Sequence, residues 1–125
     1  MYTTDRFEFT DEAHNGADVT IDASAEGKQE LLGRIAGGLS FPDYFGGNWD
    51  ALIDCLSDLT WLEKTEAIID HAAVPALSAK DTRLYLESLI DAADRRAPDR
   101  LPKLRILFRA TDRLAIASAL TSSSP

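Results

Sequence analysis

"FPDYFGGNWDALIDCLSDL", residues 41–59, sets a row of like charges on one short helix. Pro42 and the Gly46-Gly47 pair break regular structure, so residues 41–48 read as a loop. Asn48 suits the N-cap of the helix that follows, because its side-chain oxygen can accept a backbone N–H of the first turn. Leu52, Leu56 and Leu59 recur at helical spacing and form a stripe for a core. Asp50, Asp54 and Asp58 stand four residues apart, a drift of only about 40° per step, so they make one ridge roughly opposite the leucines. Ile53 sits about 60° to one side of Asp50, at the border between the two faces.

No Lys or Arg lies between Ile35 and Glu63, while that span holds five carboxylates: Asp43, Asp50, Asp54, Asp58 and Glu63. The ridge is therefore expected to be unpaired and to face water. Asp50 is well placed near the partially positive helix N-terminus, but Asp58 at the other end costs about 0.3–1 kcal/mol. Each like-charge pair four residues apart costs a further 0.2–0.5 kcal/mol or so. A local rule broken without local gain often marks a functional surface. The competing reading is a solvated helix face. Tyr44, Phe45 and the two glycines favour a binding patch, since aromatics beside charge are typical of interfaces and glycines let a backbone come close or take positive φ. Phe45 fits a core position equally well.

Outward from this stretch the chain alternates strands and helices. "DVTID", residues 18–22, is β-branched and reads as a strand. Ser24 opens a helix over 25–37, with Leu31, Leu32 and Ile35 on one face and Gly37-Gly38 at its end. Residues 65–71 form a second strand, 80–96 a helix, and 103–110 a third strand alternating Leu104, Ile106 and Phe108 with basic residues. Residues 113–120 add a short helix, and the tail "TSSSP" is expected to be disordered. "FEF" at 7–9 is either a short edge strand or nothing regular. This order predicts an α/β domain with a small three-stranded parallel sheet, because helical crossovers join parallel strands.

The 125 residues suffice for one domain with a real core. The net charge of −8 argues against nucleic-acid binding, which needs Lys and Arg for phosphates, and suits a basic partner. Cys55 is the sole cysteine, so no internal disulfide forms and a reducing compartment is expected. No apolar run is long enough to span a bilayer, and the acidic N-terminal segment lacks a signal-peptide apolar region, which together give a cytoplasmic expectation.

The run P-D-Y-F-G-x-N-W-D-A-L-x-D-C-L within residues 42–56 resembles the signature of the barstar family, intracellular inhibitors of barnase-type ribonucleases. Residues 18–110 fit that family's order of elements, leaving 1–17 and 111–125 as extensions of a single domain. The resemblance implies a three-stranded sheet of order 1-2-3 with packed helices. It also implies a 1:1 complex with a basic extracellular-type ribonuclease, the free inhibitor being a monomer. In the family the loop and the following helix plug the nuclease active site. Carried over by motif position, Tyr44, Asn48, Asp50 and Asp54 form the contact region, with Asp54 at the dominant carboxylate. Gly46, Gly47, Ile53 and Asp58 complete the patch, and Asp91 matches a further acidic contact. The founding member has tryptophan at the position of Ile53, and glycine and tryptophan at those of Asp58 and Leu59, so the target nuclease can differ.

Other chemistries fit less well. An acid–base carboxylate pair needs environments that push the two pKa values apart, and the ridge is uniformly exposed. Three carboxylates in a helical row match no calcium loop, and His14 and His71 lie far apart without a cysteine at ligand spacing. His71 reads as a polar strand end and Cys55 as a small buried residue. Neither an enzyme, a metal site nor a cofactor is therefore expected. The rival of different class is a non-inhibitory interaction module that binds another basic protein through the same face.

Overall fold

A computed structural model describes residues 2–121. The elements run β1 (Glu8–Thr10), β2 (Val19–Ile21), α1 (Lys28–Gly38), α2 (Trp49–Asp58), β3 (Glu66–His71), α3 (Ala79–Arg95), β4 (Lys103–Arg109) and α4 (Arg113–Thr121). A turn of 3-10 helix, Ala110–Asp112, joins the last two. The tail expected to be disordered lies outside the described residues save Thr121, which ends α4.

The sheet is parallel throughout, but it has four strands in the order β1-β4-β3-β2 rather than three. The expected 1-2-3 order survives as β2-β3-β4. The addition is β1, in register with β4 from Glu8–Leu107 to Thr10–Arg109. Burial explains it: Phe7 is buried and packs at 4.9 Å on Phe108, so the aromatic residues of "FEF" cover an otherwise open flank of the core.

Side chains alternate across the sheet. Val19, Ile21, Ala67, Ile69, Ile106 and Phe108 meet the apolar faces of the helices in one core. The opposite face carries Glu8, Glu66, Asp70, Arg105 and Arg109. There Asp70 is fully buried and takes both Arg109 terminal nitrogens at 2.9 Å and the His14 N–H at 3.0 Å. His71 is not a loose strand end but fully buried. Its Nδ1–H donates to Leu107 O at 2.8 Å, and Nε2 accepts from the Tyr85 hydroxyl at 2.7 Å.

Helix α1 starts at Lys28, not at residue 25, because a turn closed by the Ala25 N–H on Asp22 O at 3.1 Å comes first, and Glu26 then bridges Ala76 in parallel. The Gly27 N–H then donates to Ala76 O at 3.1 Å. Helix α1 closes on β2 at Gly38, where an added Cβ would overlap Val19 Cγ2 and come within 2.7 Å of Asp18 O. Ser78 caps α3 by accepting the Asp81 N–H at 3.1 Å.

Candidate functional site

Asn48 caps α2 as its sequence demands, its Oδ1 accepting the Ala51 N–H at 2.8 Å. The preceding loop is pinned from two sides. Phe41 stacks edge-on with Phe45 and with Trp61, at 5.0 and 5.9 Å, and the Trp61 Nε1–H donates to Leu39 O at 2.9 Å. Phe45 is thereby turned toward the core, while Tyr44 beside it is 74% exposed. Gly47 holds φ 68°, a left-handed conformation that a Cβ strains, and its carbonyl accepts from Gln29 Nε2 at 3.3 Å. Gly46 has ordinary room, the nearest atom to an added Cβ lying 3.6 Å away, so close packing does not demand it. Trp49 rests on Tyr85 at 5.9 Å, with Lys28 Nζ 5.2 Å above its ring.

The helix then divides as its pattern requires. Leu52, Cys55, Leu56 and Leu59 are buried. Burial, followed by the nearby charges of Asp54 and Asp58, pushes the Cys55 thiol up, away from nucleophilic use. Ile53, placed at the border by the sequence, falls inside and belongs to the core cluster. It packs at the rim of that cluster and keeps 9% exposure.

The ridge is exposed but not unpaired. Asp54 Oδ1 lies 3.3 Å from Arg95 Nη1, at the end of α3, and Asp58 Oδ1 lies 3.4 Å from Arg100 Nη2. Only Asp50, of the three, has neither an ion pair nor a side-chain hydrogen bond among the described residues. The sequence rule failed because the cations come from some forty positions away: Arg95 ends α3, which packs beside α2, and Arg100 lies in the loop that follows. The concentration of nine of the 13 basic residues at position 80 or later was the available signal.

The misplaced charge at Asp58 is offset in the same way. Arg96 is buried and donates to the carbonyls of Leu56 at 3.4 Å, Ser57 at 2.9 Å and Asp58 at 3.1 Å, and also to Pro102 O. One guanidinium thus serves the orphan carbonyls at the negative end of α2. Its burial, and next the nearby Arg100, lower its pKa. Asp91 is half-buried one turn before Arg95, and its Oδ2 accepts from the Tyr2 hydroxyl at 3.0 Å. Burial and this bond raise the Tyr2 phenol to about 12. Tyr44, Asn48, Asp50, Asp54 and Asp58 therefore share the loop and helix as expected, while Asp91 sits on α3 with an internal partner.

A cleft of about 220 Å³ lies between the N-terminal segment and the end of α3, and its three arginines are committed: Arg6 to Asp94, Arg100 to Asp58 and Arg96 to carbonyls. Among the described residues no group of three or more His, Cys, Asp or Glu could hold a metal ion. No helix among them is long and apolar enough to cross a membrane. The candidate site is thus the convex ridge of α2 with its loop, a surface suited to fill another molecule's cleft.

The family model described as Barstar (barnase inhibitor) matches residues 17–109, most of the chain. The match contains the whole loop, ridge and α3, and leaves β1 outside it. No curated protein matches the chain.

Proposed function

The chain belongs to the barstar family, and on that premise we propose that it is an intracellular inhibitor of a barnase-type ribonuclease. It docks the α2 ridge and the loop before it into the nuclease's basic active site as a 1:1 complex. The observation that carries this reading is the joint exposure of Tyr44 on the loop and of Asp50 and Asp54 on α2, a helix whose other face is locked in the core. Carboxylates presented this way can take the place of RNA phosphates against cationic side chains, with charge-assisted hydrogen bonds in a water-poor interface. The role is occlusion, so the reading calls for no catalytic residue and no cofactor. A reducing, cytoplasmic setting suits the single buried thiol.

The second reading, a non-inhibitory module for another basic protein, draws on two observations. Ile53 is withdrawn into the core, and arginines already occupy two ridge carboxylates. Titration of the purified protein against barnase and a panel of small basic microbial ribonucleases separates the two. Stoichiometric loss of RNA cleavage supports inhibition. Full nuclease activity across the panel in excess protein gives the site to the second reading.

A further inference from the structure

We propose that Arg95 is a specificity-determining residue of the docking face, screening Asp54 so that it favours a partner's guanidinium over an ammonium. The inference rests on reading the α2 ridge as a docking face, and it concerns which cation that face accepts.

The geometry of the pair is one-sided. Arg95 reaches Asp54 through a single N–H, Nη1 to Oδ1 at 3.3 Å, and Asp54 Oδ2 has no partner among the described residues. The two side chains remain 57% and 76% exposed. Such an open pair contributes little to the fold, so stability does not account for it. Arg95 is nonetheless well placed. The adjoining Arg96 is drawn into the carbonyls ending α2, which anchors the end of α3 and leaves its neighbour beside the ridge.

An incoming cation therefore meets an acid that is already half answered. An ammonium brings a compact point charge that can answer the open Oδ2 but has no planar fork to span both oxygens. A guanidinium can lay two parallel N–H groups on both carboxylate oxygens, replacing one hydrogen bond with two. Asp50, one turn away and without a partner among the described residues, still attracts cations of either kind. The ridge thus divides its work: Asp50 attracts and Asp54 sorts.

The test is NMR titration at low salt with hexa-arginine and with hexa-lysine, read at the Asp54 carboxyl or its neighbouring amides. It is run on the wild type, Arg95→Gln and Arg95→Gln/Asp54→Asn. Arg95→Gln is expected to tighten hexa-lysine roughly three- to tenfold and hexa-arginine less. Both gains should vanish in the double variant, with melting unchanged in all three proteins. No gain, an equal gain for both peptides, or a gain that survives Asp54→Asn overturns the proposal. The peptide arms decide the role of Arg95 whichever way a parallel inhibition assay with barnase falls. That assay bears on the inhibitor reading alone.

Discussion

The guanidinium of Arg96 lies across the last turn of α2, 2.9 Å from the carbonyl oxygen of Ser57. It joins the end of α3 to the end of α2. Replacing it with methionine keeps much of the volume and removes every donor. The carbonyls of Leu56, Ser57 and Asp58 then lose their buried partner beside an acidic side chain. Arg96→Met is expected to cost roughly 2–4 kcal/mol in urea denaturation. A loss below about 0.5 kcal/mol, the level of an ordinary surface change, would show that the contact holds nothing.

His71 makes the fold acid-sensitive. Burial first, and the nearby Arg109 last, depress its pKa to about 4, against the smaller upward pull of the Leu107 carbonyl and Asp70. The neutral ring is the one that fits, stacked 3.9 Å from Phe108 with both nitrogens bonded. The unfolded chain binds the proton near pH 6.5 and the folded chain only near 4, so stability falls as pH drops through that window. The loss is on the order of 3 kcal/mol. Asp70 acts lower still. Burial raises its pKa, but the Arg109 and His14 hydrogen bonds outweigh that, and its contribution is lost only in stronger acid. Chemical denaturation from pH 7 to pH 4 checks this, and a flat profile contradicts it.

Phe7 tests whether the N-terminal segment belongs to the fold. It is buried against Phe108 although it lies outside the family match. Phe7→Ala should cost about 3–5 kcal/mol, as truncation of a buried aromatic does. A loss under about 1 kcal/mol would make β1 an ornament on the three-stranded sheet.

What the sequence disclosed was mostly local. The cap at Asn48, the leucine stripe and the acidic ridge all follow from spacing within a few residues; the cap and the stripe stand as read, while two of the three ridge carboxylates are paired. The strands of the central sheet were legible because β-branched and alternating runs mark them. Strand β1 is not legible in the sequence because it is three residues long and its partner strand lies about a hundred positions away. The pairing of Asp54 and Asp58 was missed for the same reason, since no periodicity reveals which later arginine reaches back across a helix pair. Ile53 sat on the boundary between faces, where a few degrees of helix orientation decide between core and surface.

The central claim is that the ridge serves a partner rather than the fold, and Asp54→Ala tests it most directly. Its ion pair with Arg95 is exposed at both ends and contributes about 0–1 kcal/mol to folding. In a desolvated interface, removing one side of a charge pair costs roughly 2–5 kcal/mol, a magnitude that comes from the barnase–barstar pair itself rather than from this geometry. The measurement is inhibition of the cognate ribonuclease by wild type and Asp54→Ala, with melting temperature and association rate at low and high salt alongside. The account predicts inhibition weakened about a hundredfold or more, an unchanged melting temperature, and association slowed by salt. Full inhibition by Asp54→Ala, or inhibition lost only together with folding, would contradict it and return the ridge to a solvated helix face.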